Sequence, residues 1–113
     1  MSECVFCRIA AGEIPADIVA NDDEFIAFRD LHPLAPTHVL VVPKRHLRSL
    51  DEIEAFGDAA AGRMLRFTAA AARSAGIATS GYRVVSNTGP DAGQEVDHLH
   101  WHIIGGGPLG GMV

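Results

Sequence analysis

The chain has 113 residues, 48% of them hydrophobic, and a formal net charge of −5. That length suits one domain, 1–113, and the acidic balance argues against a general nucleic-acid backbone binder. No stretch approaches the ~20 apolar residues of a membrane span. The start, Met1-Ser2-Glu3-Cys4, has neither the basic nor the apolar region of a signal peptide. Two cysteines, Cys4 and Cys7, make no disulfide framework, which points to a reducing cytoplasm.

Cys4-Val5-Phe6-Cys7 opens a short helix that ends near Gly12, a residue suited to a left-handed C-terminal position. Ile14-Pro15 leads into a strand over 17–21, and Asp22-Asp23 reads as a hairpin turn. Glu24–Asp30 alternates with apolar residues on both faces, which predicts a strand covered on both sides. Two prolines, Pro33 and Pro36, make the next connection rigid. His38–Pro43 is rich in β-branched residues and reads as a central strand. Ser49–Ser74 predicts one long helix, with Ser49 and Glu52 as a capping box and Ile53, Phe56, Ala60, Met64, Phe67 and Ala71 at helical spacing. Gly76 ends it. The alanines at 59–61 and 69–72 suit close packing against a second copy, or plain helix propensity. Gly81–Asn87 predicts a fourth strand, on which Arg83 is solvated or ion-paired. A Gly/Pro/Asp loop, 88–94, precedes a fifth strand at His98–Ile104, and a glycine-rich tail to Val113 lies back on the body. These elements imply an α+β fold of about five mainly antiparallel strands with one long and one short helix.

The fifth strand carries the chemistry. His98, His100 and His102 alternate with Leu99, Trp101 and Ile103, so the imidazoles share one face and the apolar residues the other. Same-face neighbours stand roughly 6–7 Å apart, and all three histidines span roughly 13 Å, too far for one metal ion. A neutral imidazole is a competent nucleophile toward phosphorus when its other nitrogen holds the proton, for instance against a backbone carbonyl. The glycines just before the row suit an anion, because their N–H groups can approach it closely. His32 reads as a loop residue, and Trp101 as core or interface.

His98-Leu99-His100-Trp101-His102-Ile103-Ile104 resembles the signature of the histidine-triad (HIT) superfamily. Phe28–His38, Gly93-Gln94-Glu95-Val96 and the run Gly105-Gly106 to Pro108-Leu109-Gly110 extend the resemblance along the chain, toward the Hint-like branch. The resemblance implies a HIT-like fold, a homodimer, and hydrolysis of purine nucleoside phosphoramidates or acyl-nucleotides, with AMP or GMP as bound nucleotide. It implies that His100 is the nucleophile carrying a nucleotidyl intermediate and that His102 contacts the α-phosphate. His38 would order the cluster, and Asp30 would accept from the ribose hydroxyls. Asn87, Gly93, Gln94 and the backbone of Glu95 would line the phosphate. Phe6, Ile9, Ile14, Phe28 and Leu31 would sandwich the base. Related readings are a nucleotide-binding regulator of low turnover and a dinucleoside polyphosphate hydrolase. Two departures bear on the leaving group: Glu95 stands where some members have serine, and Gly107 where arginine is common.

The bacterial-type relatives carry Cys-x-x-Cys at the same place with a structural zinc. Here Cys4 and Cys7 with His46 and His98 would supply a Cys2His2 set. The alternative is two thiols packed as small hydrophobes. His98 then has a structural role, leaving His100 and His102 for chemistry.

Overall fold

The computed structural model describes residues 3–111. Met1 and Ser2, on which the leader reading drew, and the tail's last positions, Met112 and Val113, lie outside the described residues. The elements are α1 (Val5–Ala10), β1 (Ile18–Asn21), β2 (Phe25–Arg29), β3 (Thr37–Pro43), a 3-10 segment (Leu50–Phe56), α2 (Gly57–Ser74), β4 (Tyr82–Val85), a 3-10 turn (Pro90–Ala92) and β5 (Trp101–Gly105). The strands form one antiparallel sheet in the order β1-β2-β3-β5-β4. The α+β architecture expected from the sequence is the one observed.

Period-two alternation sorts the apolar side chains onto two faces of this sheet. Phe25, Ala27, Val39, Val41, Leu99, Trp101 and Ile103 pack against Met64, Phe67, Ala71 and Ala72 of α2. Ile26, Phe28, Leu40 and Val42 form the opposite layer, capped by Phe6 from α1. Burying each such side chain contributes about 1.5–3 kcal/mol. Hence Phe25–Phe28 of β2 and Val39–Pro43 of β3 are apolar and buried on both faces.

The long helical segment is not uniform. Its first turns are 3-10, and the chain breaks at Gly57, whose φ of 78° suits glycine. Ser49 Oγ accepts from Asp51 N–H at 3.2 Å, and Glu52 Oε1 reaches back to the Arg48 N–H at 2.6 Å, one residue before the position a capping box uses. Gly76 closes α2 with φ 80°, and Ile77 N–H reaches back to Ala72 C=O at 3.2 Å, a Schellman ending. Arg83 makes a further contact: its Nη2 donates to the Gly110 carbonyl at 2.8 Å and pins the tail, and it has no ion pair among the described residues.

The fifth ladder is shorter than its sequence pattern. Pairing with β3 runs from Trp101 to Gly105. The ladder stops at the Val41–Trp101 pair although β3 runs on to Pro43, so His98-Leu99-His100 lies outside it. Leu99 N–H instead bonds to Leu47 C=O at 2.6 Å. The apolar and histidine faces still separate, with Leu99, Trp101 and Ile103 all in the helix-side core.

Candidate active site

The histidine face is not an open display. His98 is 0% exposed and His100 7%, because α1 lies across them. Phe6 meets both rings edge-on, with centroids 5.9 Å from His98 and 5.1 Å from His100. The α1 segment therefore makes one wall of the site as well as the lid of the second core.

His98 turns away from its two companions. Its Nε2–H donates to the Pro43 carbonyl at 2.8 Å, so its Nδ1 lone pair faces the N-terminal helix. There it lies 3.3 Å from Cys4 Sγ, 3.4 Å from Cys7 Sγ and 3.1 Å from His46 Nδ1. Cys7 Sγ stands 3.3 Å from His46 Nδ1. Donor atoms around a tetrahedral ion with bonds of about 2.0–2.3 Å lie about 3.3–3.8 Å apart. The four ligand atoms, all within 4.8 Å of one another, have close to that spacing. A fixed outer-nitrogen partner on His98 is also what a metal-bound imidazole needs. The donor set fits a tetrahedral metal such as zinc.

His100 keeps the orientation that alternation predicts. Its Nδ1–H donates to the His98 carbonyl at 2.7 Å, which leaves the Nε2 lone pair as the free nitrogen. His102, with its ring centroid 5.1 Å from that of His100, is the next side chain along the row. Leu40 pairs with His102 and Ile104 with His38, so His38 is the diagonal cross-strand neighbour of His102 on the same face. His38 Nε2 lies 2.8 Å from His102 Nδ1 and 3.5 Å from Asp30 Oδ2. Asp30 Oδ1 accepts the His32 N–H at 2.8 Å, which shapes the loop after β2.

These rings line a cavity of about 510 Å³. Of the residues predicted to hold a nucleotide, Phe6, Ile9, Ile14, Phe28 and Leu31 form its apolar side. Asp30, His38, Asn87, Gly93, Glu95, His100 and His102 form its polar side. Gln94 does not line it. Gln94 Oε1 accepts the Gly89 N–H at 2.9 Å, and its Nε2 donates to the carbonyls of Arg48 at 2.7 Å and Val96 at 3.0 Å. The Gln94 side chain clamps the loop that precedes the triad. The sequence reading missed Asp17, Arg29 and the mouth residues Val5 and Leu34, and it treated His32, also at the mouth, only as a loop residue. Asp17, just before β1, and Arg29, at the end of β2, carried a signal in their opposite charges, and their side chains stand 3.5 Å apart.

Burial governs the charge state of the cluster. It pushes His98 down to about 4 and, with the neighbouring His100 and His38, His102 to about 4 as well. Burial also lowers His38, which Asp30 partly offsets. Neutral rings retain the lone pairs on which the hydrogen bonds above depend.

The pH dependence of stability follows. Unfolded His102 binds a proton near 6.5, whereas in the fold it does so only near 4. Protons therefore favour the unfolded chain in that window, and the contribution is full above 6.5 and lost as pH falls through 4. Thermal melts should show Tm dropping between pH 6.5 and 4, with a shallower drop in His102→Gln; parallel curves for the two proteins would contradict this.

The HIT domain family profile matches residues 11–109. The chain is similar to the purine nucleoside phosphoramidase of Escherichia coli K12, 45% identical over 111 residues that span 98% of this chain and 93% of that protein. Its fold is similar to that of a histidine triad protein from Clostridium difficile, with a TM-score of 0.92 at 42% identity, covering 100% of this chain and 98% of that one. A HIT family hydrolase from Legionella pneumophila superposes with a TM-score of 0.89 at 39% identity, covering 96% of each chain. With its histidine row, its sheet and its similarity along nearly the whole length, the chain belongs to the HIT family.

Proposed function

We propose that this protein hydrolyses purine nucleoside 5′-phosphoramidates and acyl-nucleotides through a nucleotidyl intermediate on His100. The observation that carries the reading is the His100 Nδ1–H bond to the His98 carbonyl, which reserves Nε2 for attack inside the cavity. In the first step Nε2 bonds to the α-phosphorus and the bond from phosphorus to the amine or acyl oxygen breaks. In the second step water takes the phosphorus, freeing His100 and the nucleoside monophosphate. His102 contacts the α-phosphate, and His38 orders His102. Asn87, Gly93 and the Glu95 backbone border the phosphate, while Asp30 Oδ2 accepts from the ribose hydroxyls. The base, of AMP or GMP, lies among Phe6, Ile9, Ile14, Phe28 and Leu31.

The charge of the cavity separates this reading from cleavage of dinucleoside polyphosphates. Asp17, Asp30 and Glu95 line it against one cationic side chain, Arg29, already beside Asp17. A leaving group of several phosphates meets carboxylates with no further Lys or Arg to neutralise it. A neutral or cationic amine meets no such cost. The family relationship and the name of the Escherichia coli relative support the same choice.

The whole chain, 1–113, is one HIT domain, working in the cytoplasm, where Cys4 and Cys7 stay reduced. The Cys4-Cys7-His46-His98 set holds a structural zinc, which ties the N-terminal helix to the start of the triad. The protein is a homodimer: β4 is an outer strand of the sheet, and its Tyr82 and Val84 are 38% and 43% exposed, an edge that a second copy can cover.

Release of amine from an adenosine 5′-phosphoramidate tests the activity. Wild type should turn over, and His100→Ala should lose at least about a thousandfold while still binding AMP. Dinucleoside polyphosphates should be the poorer substrates. AMP binding without turnover by either protein would leave a nucleotide-binding regulator instead. For the metal, Cys4→Ala with Cys7→Ala should abolish bound zinc and lower Tm; equal zinc content in wild type and variant would refute the site.

A further inference from the structure

A neutral imidazole donates from one nitrogen and accepts at the other, so a chain of imidazoles has a direction. The direction of the His38–His102 pair is set outside the pair. The Leu34 N–H donates to His38 Nδ1 at 3.1 Å. That nitrogen must therefore hold a lone pair, and the His38 proton sits on Nε2. His38 Nε2–H then faces His102 Nδ1 at 2.8 Å, with Asp30 Oδ2 at 3.5 Å as a second acceptor. His102 Nδ1 accepts, so the His102 proton sits on Nε2, in the ring that lines the cavity.

We propose that the backbone N–H of Leu34 is a positioning group that fixes the proton polarity of the His38–His102 pair, so that His102 meets the ligand as a donor. This rests on the reading of the cavity as a phosphate site. Were His38 protonated at Nδ1 instead, two N–H groups would confront each other at 3.1 Å around a ring that is only 3% exposed. His38 Nε2 would then accept, His102 Nδ1 would donate, and a lone pair of His102 would face the phosphate oxygens. The two triad rings thus run opposite ways. His100 is protonated at Nδ1 and presents a lone pair; His102 is protonated at Nε2 and presents a donor. One ring attacks and the other stabilises negative charge.

The loop is built to hold this N–H in place. Pro33 and Pro36 restrict its backbone, and the Asp30 N–H closes its base on the His38 carbonyl at 2.9 Å. The Leu34 side chain is 82% exposed, so its contribution here is the amide and not core packing.

Imidazole ¹⁵N NMR of the full-length protein at pH 7 reads the tautomers without any substrate. His38 and His102 should each show a protonated Nε2 and a lone-pair Nδ1, and His100 the reverse. A protonated Nδ1 on His38 or His102 would overturn the proposal. Leu34→Pro removes the N–H, whereas Leu34→Ala keeps it. In L34P the His38 signals should average between tautomers and single-turnover amine release should fall at least about tenfold. L34A should retain the wild-type tautomers. Wild-type tautomers in folded L34P would also overturn the proposal. If L34P does not fold, His38→Gln and His38→Glu take its place. The Gln amide can accept from Leu34 and donate to His102, whereas a carboxylate only accepts; equal amine-release rates would count against the lock. Because the tautomers are read without substrate, failure of the phosphoramidate reading and failure of the lock are separate results.

Discussion

His98 is held on three sides, and the site depends on it. Its Nε2–H is committed to the Pro43 carbonyl, its Nδ1 to the cysteine-histidine cluster, and its own carbonyl to His100. The ring is fully buried, so each of these bonds is made in a medium where an unmade one is costly. The end of β3, the N-terminal helix and the nucleophile are thereby fixed relative to a single residue. A row of three histidines in sequence becomes one structural anchor and two chemical groups.

The same logic explains why the histidines are covered. Neutral imidazoles are what the hydrogen-bond pattern demands, and burial, for His98 under α1, lowers His98 and His102 to about 4. Phe6 supplies that cover and also packs on Phe28 at 5.7 Å between ring centroids. One short helix therefore completes the second core, walls the cavity and, with its N-cap Cys4, supplies two of the four atoms of the cysteine-histidine cluster. The sheet below it needs only to be stiff, and strands apolar on both faces make it so.

Much of this was legible in the sequence because it is written in period two. The alternation in Phe25–Phe28 and in Leu99–Ile103 sorted both faces correctly, and proline and glycine marked the turns. What was not legible depends on where partner strands stop. His98–His100 carries strand alternation but its polar groups bond elsewhere, the Leu99 N–H to Leu47 and the His98 ring to Pro43, so it leaves the ladder. Helical spacing runs straight through Gly57, yet the backbone breaks there, because periodicity records which face is buried and not the turn geometry. Gln94 sits in a phosphate-like motif, but its three hydrogen bonds all go to backbone groups of the loop and of Arg48, Val96 and Gly89. The Leu34 amide leaves no trace in side-chain chemistry, since any residue but proline supplies it.

The central claim is that His100 Nε2 forms a covalent bond to the α-phosphorus. It is tested most directly by rapid denaturing quench during turnover of an adenosine 5′-phosphoramidate, followed by mass mapping of the digested protein. A nucleotidyl adduct on the peptide containing His100, absent from His100→Ala, is the predicted result. Turnover by wild type with no adduct, or with the adduct on another residue, would contradict the account.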